Sequence, residues 1–147
     1  SAMNPKLGSL RIAVTTVLPP LGDASPACQK AVLDTVKLLE EMGHKVEPVS
    51  FELSDLIEPF KTVWQAGVAA AGIPKEALGS MNQWLLEQNG GAGDYLRAVA
   101  QMQIIGRRIV ALLEPFDMLV LPVYLNPPIR VGEYADLSPE ETLQRVM

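Results

Sequence analysis

Residues 94–128 read DYLRAVAQMQIIGRRIVALLEPFDMLVLPVYLNPP, and the order of patterns in this stretch sets the fold class. Tyr95, Val99, Met102, Gly106, Ile109 and Leu113 recur at helical spacing, which predicts a long amphipathic helix with that face buried. Pro115 stops the helix, because proline removes a backbone donor and clashes with the preceding turn. Met118 to Leu121 is an apolar run too short for a helix and suited to a strand covered on both faces. Pro122 ends that strand, since it cannot donate to a ladder. The exit through Tyr124 to Pro127-Pro128 is an extended loop off a sheet edge, where open α/β folds place their ligands.

The first half of the chain supplies partners for that strand. Arg11 to Thr16 is β-branched and alternating, hence a strand. Val17 to Asp23 holds Pro19, Pro20 and Gly22 and reads as loop. Ser25 followed by Pro26 is a helix start, a capping hydroxyl with proline at the first helical position. The helix runs to Met42, with Cys28, Val32, Val36, Leu39 and Met42 on its apolar face, and Gly43 is a left-handed cap. Lys45 to Val49 is the next strand. Strand, helix and strand make one βαβ unit, hence a parallel pair. The three strands are expected in one sheet, because fewer could not cover the apolar helix faces.

Ser54 caps a further helix to about Ala71, with Phe60, Val63, Trp64 and Val68 on its apolar side and Pro59 delaying its first turns. Ile73 to Gln88 reads as a shorter helical piece holding Trp84, and Asn89-Gly90-Gly91-Ala92-Gly93 as a break. Ser138-Pro139-Glu140-Glu141 is a capping box that launches a last helix. That helix is cut short at Met147, as expected of a boundary set by cloning. Ser1-Ala2-Met3 reads as an expression remnant.

The totals exclude several classes. The balance of 48% hydrophobic and 20% charged residues over 147 residues is that of a globular chain with a proper core. Net charge is −5 and the basic residues are scattered, so nucleic acid is not expected as a partner. No apolar run approaches the length of a membrane span, so no membrane association is expected either. The single cysteine, Cys28, cannot form an internal disulfide and points to a reducing, cytoplasmic compartment, with packing as its role.

The chemical inventory is thin. His44 is the only histidine, and it follows a helix-ending glycine, where an imidazole suits the helix terminus. One histidine and one cysteine leave no metal site, and no Gly-x-Ser-x-Gly elbow supplies a nucleophile. Gly90-Gly91-Ala92-Gly93 follows no strand and reads as a connector rather than a phosphate cradle. The first βα loop lacks the glycines of a dinucleotide site, and no cofactor is called for. Trp64 and Trp84 sit on helices in a chain with 5% aromatics. Core packing is one reading of them; the other has Trp64 and Tyr124 lining an apolar substrate channel.

Taken in order, the elements resemble the C-terminal part of the amidase signature family. The matching pieces are Leu10-Arg11-Ile12-Ala13-Val14, then Leu38-Leu39-Glu40-Glu41-Met42-Gly43-His44-Lys45-Val46-Glu47. The helix with Phe60 and Trp64, the Asp94-Tyr95-Leu96 helix, and Phe116-Asp117-Met118-Leu119-Val120-Leu121-Pro122-Val123 follow. Val123 stands where family members often carry threonine, so no polar contact is expected there. The resemblance implies an α/β fold, a partial mixed sheet with a βαβ unit and covering helices. It implies a parent enzyme that hydrolyses linear or cyclic amides with a Ser–cis-Ser–Lys triad and a backbone oxyanion hole. The Gly/Ser-rich loop and lysine of that triad lie upstream in the family, so no residue here is expected to be catalytic.

On this reading residues 4–147 are a partial amidase domain, truncated at both ends. They contribute scaffold and one wall of a substrate pocket, made by Trp64, Pro122, Val123 and Tyr124, and are inactive alone. A small-molecule amide is the parent's substrate. The chain's own stranded apolar surface and open edges favour a homo-oligomer. The alternative is a free-standing α/β small-molecule binding or protein-interaction domain that shares only βαβ grammar.

Overall fold

The structure is a computed structural model that describes residues 8–146, so the expected expression remnant at residues 1–3 lies outside it. The chain divides into two compact units, one formed by residues up to Leu53 with Arg108–Pro128, the other by Ser54–Arg107 with Ile129 onward.

The first unit is built on a three-stranded sheet of β1 (Arg11–Val14), β4 (Lys45–Pro48) and β5 (Met118–Val120). The order is β4-β1-β5 and both pairings are parallel, with Ile12 opposite Val46 on one side and Met118 on the other. All three expected strands therefore share one sheet, and β1 is its centre. Ile12 and Ala13 are buried accordingly. β5 differs from expectation in one respect. Among the described residues it is the last strand of the sheet, and its first residue, Met118, is 53% exposed rather than covered.

Helix α1 (Pro26–Glu41) connects β1 to β4 and buries Val32, with Cys28, Val36 and Leu39 half-buried. Met42 is exposed instead, because it lies past the last helical turn as the C-cap. The helix ends at Gly43, whose φ of +91° would strain any residue with a Cβ. Ser25 is the N-cap residue, but its hydroxyl makes no cap bond. The main chain and a neighbour hold this end instead. The Ser25 N–H donates to the Leu125 carbonyl at 2.6 Å, and the Gln29 amide donates to the Ala24 carbonyl at 2.7 Å. Val17–Asp23 is not plain loop. It forms an antiparallel pair of two-residue strands, β2 (Val17–Leu18) and β3 (Gly22–Asp23), turned through a cis Pro19–Pro20 bond. Proline and glycine density hid strands this short.

The second unit is helical. A 3-10 turn at Ser54–Leu56 precedes α2 (Ile57–Ala70), so Pro59 falls in the first α-helical turn, where its missing N–H costs nothing. α3 covers only Ser80–Glu87, not the whole of residues 73–88. Pro74 and Gly79 hold extended backbone on either side of a 3-10 turn at Lys75–Ala77, which breaks the expected helix. An ion pair from Lys75 to Glu87 ties that turn to the end of α3. α5 (Pro139–Val146) starts with the expected capping box. The Ser138 hydroxyl accepts the Glu141 N–H at 3.2 Å, and the Glu141 carboxylate accepts the Ser138 N–H at 2.8 Å. Leu85 of α3 and Leu143 of α5 are buried where these helices pack.

Helix α4 (Ala92–Leu113) is the long amphipathic helix of the opening stretch. Its buried residues are Ala98 and Ile105, while Tyr95 is exposed. The covered stripe is thus turned by one residue from the expected face. Leu96, Ile104 and Val110 are also apolar yet exposed, so periodicity alone could not fix the centre of the stripe.

Candidate functional site

In a parallel sheet the carboxyl ends of all strands lie on one edge, and the loops leaving them are the natural place for a ligand. Here that edge is made by Thr15 and Thr16 after β1, Val49 and Ser50 after β4, and Leu121 to Leu125 after β5. Hydrogen bonds knit it together. Thr15 donates its N–H to the Val120 carbonyl at 3.1 Å, and Val49 donates to the Val14 carbonyl at 2.9 Å. Ala24 donates to Thr16 at 2.8 Å, which brings the start of α1 onto the same edge.

Thr15 is one of two buried polar residues among those described, the other being Gln65. Its hydroxyl donates to the Val17 carbonyl at 2.9 Å and accepts the Val17 N–H at 3.3 Å. The side chain thereby turns the chain from β1 into the hairpin. Sequence reading placed Thr15 in a strand and gave it no role; the one available signal was a hydroxyl at the end of an apolar strand. The Ser25 hydroxyl is buried without a hydrogen-bond partner at this same edge.

The loop after β5 is pinned at both ends. Pro122 is buried, and the Leu125 carbonyl is held by Ser25. Between these anchors Val123 and Tyr124 are 94% and 71% exposed. The sequence-expected residues Pro122, Val123 and Tyr124 thus form one short, anchored, apolar projection. Trp64 belongs to the other unit, where it is half-buried on α2 and its ring lies 6.0 Å from that of Phe60, tilted by 53°. That spacing is an ordinary aromatic packing pair.

The entry to β5 carries a carboxylate that is structural. Asp117 accepts the Arg11 N–H at 2.8 Å and returns its own N–H to the Arg11 carbonyl at 2.8 Å. The Arg11 guanidinium lies 5.3 Å over the Phe116 ring and pairs with Glu47 at 3.2 Å. The Phe116-Asp117 step therefore ties β5 to β1 at the amino edge, away from the carboxyl-edge loops, and Arg11 itself reaches across to β4. His44 serves the same edge: its Nδ1 accepts the Leu10 N–H at 3.2 Å.

In the second unit, Val63, Ala66, Gly67 and Ala70 of α2 face Tyr95 and the backbone of residues 89–92 across an open groove of about 490 Å³. The glycine loop there is closed by its own acid. Asp94 accepts the Gly91 N–H at 3.0 Å and pairs with Arg97 at 2.6 Å, which together hold its carboxyl below the usual range. A Cβ at Gly90 would come within 2.6 Å of the Asp94 carboxylate. The loop is a tight, self-satisfied connector. Among the described residues no cluster of His, Cys, Asp or Glu could hold a metal ion, and no helix is long and apolar enough to cross a membrane.

The family profile described as Amidase matches residues 1–147. A protein of Synechocystis sp. (strain ATCC 27184 / PCC 6803 / Kazusa) named "Putative amidase" is 45% identical over 140 residues, covering 95% of this chain. The chain spans only 28% of that relative's length. The crystal structure of the K. lactis urea amidolyase superposes with a TM-score of 0.63 at 22% identity, over 94% of this chain and 9% of that one. That likeness concerns the fold.

Proposed function

The chain belongs to the amidase family, and from that membership we propose that it is one segment of a longer enzyme hydrolysing carbon–nitrogen amide bonds. The observation that carries the proposal is the family match across the chain, joined to its 28% share of the relative's length. On this reading residues 4–147 are part of an amidase domain, not a free-standing binding module.

Within the segment the work is scaffolding and pocket wall. Val123 and Tyr124 are the proposed contacts to an apolar part of a small amide substrate, and Pro122 fixes the loop that presents them. Their exposure supports this role, since apolar side chains held out by a loop anchored at both ends gain by covering a ligand. Trp64 is proposed separately, from its own unit, as a further apolar contact. The reaction itself belongs to a serine nucleophile with a lysine base and a backbone oxyanion hole supplied by the remaining polypeptide. No cofactor enters. The single half-buried thiol of Cys28 supports a cytoplasmic setting, and the exposed apolar surface supports self-association of the isolated chain.

Two measurements test this. The isolated chain should hydrolyse no aryl amide or anilide, because loss of a triad removes about six orders of magnitude in rate. Turnover that disappears in Ser80→Ala would overturn the reading. In a chimera carrying this segment in place of the matching region of the Synechocystis relative, Val123→Asp and Tyr124→Ala should raise KM for an apolar amide several-fold at nearly constant kcat. An unchanged KM for both variants would remove these residues from the pocket.

A further inference from the structure

Helix α1 covers the sheet with one face and leaves a second apolar face bare. Val32 is buried, and Cys28, Val36 and Leu39 are half-buried on the covered side. Ala31, Thr35, Leu38 and Met42 recur at spacings of four, three and four residues, so they lie on one line down the helix. All four are exposed, Leu38 by 56% and Met42 by 64%. Met42 is the C-cap, but its φ of −75° and ψ of −5° are still right-handed helical, so it continues that line. Thr35 presents a methyl there. Its hydroxyl donates to the Ala31 carbonyl at 2.8 Å and is satisfied within the helix. Beside this stripe runs a row of charges, Lys30, Asp34, Lys37 and Glu41. They are joined along the helix by the Lys30–Asp34 pair at 2.6 Å and the Lys37–Glu41 pair at 3.9 Å.

We propose that two copies of the chain pair antiparallel through this face of α1. This rests on the self-association proposed above for the isolated chain, and it names the surface. The occupant follows from the pattern. A two-fold axis perpendicular to the helix makes the contact isologous, with the same residues contributed by both copies. Running the stripe against its own inverse sets Ala31 opposite Met42 and Thr35 opposite Leu38, so every layer joins one small side chain to one large. A parallel pair would set Met42 on Met42 and Leu38 on Leu38, with gaps at Ala31 and Thr35. The charged row answers the same operation. Its signs read plus, minus, plus, minus, and the inverse brings Lys30 beside Glu41 and Asp34 beside Lys37. A partner of different sequence gives no reason for the row to be its own complement. One helix pair of about three turns buries less than a standard interface of about 1,600 Å², so the dimer is weak, with Kd on the order of 10–100 μM.

Sedimentation velocity of the isolated chain, from roughly 1 to 500 μM, should show a monomer–dimer equilibrium. Leu38→Glu should raise Kd at least about tenfold. Leu33→Glu should not, although Leu33 is 59% exposed on the same helix, because it lies on the far side of the charged row. Lys37→Glu should weaken the dimer about threefold. Inverting the whole row, with Lys30→Glu, Asp34→Lys, Lys37→Glu and Glu41→Lys together, should restore it, and the inverted chain should pair with itself but not with the parent chain. All six positions are solvent-exposed, so none of these changes threatens the fold. A dimer indifferent to Leu38→Glu, or an inverted chain that mixes freely with the parent, overturns the α1 contact and leaves self-association standing. Assembly that responds to Met118→Lys rather than to Leu38→Glu moves the contact to β5 and overturns it too. A chain that stays monomeric throughout the range sinks both readings.

Discussion

Asp117→Ala removes one acceptor and leaves the Arg11 N–H without its partner at the first residue of the central strand. The two residues lie 106 positions apart, so the bond closes a long loop of chain on the sheet. Hydrogen bonds to a charged group contribute about 1.5–3 kcal/mol, and carboxylate caps on a backbone N–H about 0.5–2 kcal/mol. The bond is solvent-exposed, so water recovers part of the loss, and about 1–1.5 kcal/mol is the expected cost. The neighbouring Arg11–Glu47 pair, with both side chains about half exposed, is worth less, on the order of 0.5 kcal/mol. The backbone bond therefore outweighs the ion pair, although the ion pair is the more conspicuous. Urea unfolding followed by far-ultraviolet circular dichroism should show the loss, with Tm lower by about 2–6 °C for a chain of this size. Asp117→Asn keeps a carbonyl oxygen and should recover more than half of it, and Glu47→Gln should cost little. Faster exchange of the Arg11 amide in Asp117→Ala is the local signature. An Asn variant as damaging as the Ala variant, or a Glu47→Gln variant more damaging than either, would refute this ranking.

Two other outcomes are expected. The Ser138 hydroxyl, and then its N–H, hold the Glu141 carboxyl below its ordinary value, so the support this gives α5 is complete at neutral pH. It is lost as pH falls from the ordinary carboxylate range, about 4–5, through the lowered value; helical exchange protection in α5 should fade on acidification, Ser138→Ala should weaken that pH dependence while the backbone N–H keeps part of it, and Glu141→Gln should remove it. Gly43→Ala places a Cβ at φ +91° with nothing within 4 Å to clash, so its cost is backbone strain alone, about 1 kcal/mol by urea unfolding, and Gly43→Asn should cost less. A Gly43→Ala protein as stable as the parent would contradict the left-handed cap.

The sequence announced those features whose cause is local. Pro115 and Pro122 bracket β5, Gly43 ends α1, and the Ser138–Glu141 box opens α5, because each acts within a few residues of itself. What escaped was set by distant contacts. The Asp117 carboxylate looked like one more acid until the sheet brought Arg11 beside it. Ser25 had the right type and place for a cap, but Leu125, a hundred residues away, claims its N–H, and Gln29 reaches back to Ala24. The face of α4 could not be centred because apolar residues lie on several sides of it, and tertiary packing chose Ala98 and Ile105. Of the expected site, the loop from Pro122 to Tyr124 is legible as a break after a strand. Its anchoring is not, because the Ser25–Leu125 bond joins residues a hundred positions apart.

On the proposed reading, that bond is how a segment supplying only a pocket wall would matter to catalysis. A substrate wall must be held to within a fraction of an ångström to discriminate, and a loop free at one end cannot do this. Here the loop leaves β5 at a buried proline and is caught three residues later by the start of α1, which is itself fixed to the end of β1 through Ala24 and Thr16. The chain of support runs from the central strand, through the helix start, to the loop, and ends in two exposed apolar side chains. Each link except the last is backbone hydrogen bonding, which side-chain substitution barely disturbs. If Val123 and Tyr124 are the proposed substrate contacts, they could vary with the substrate while the loop that carries them stays in place, and Thr15, buried at the exit of β1, is the position where a change should move that loop.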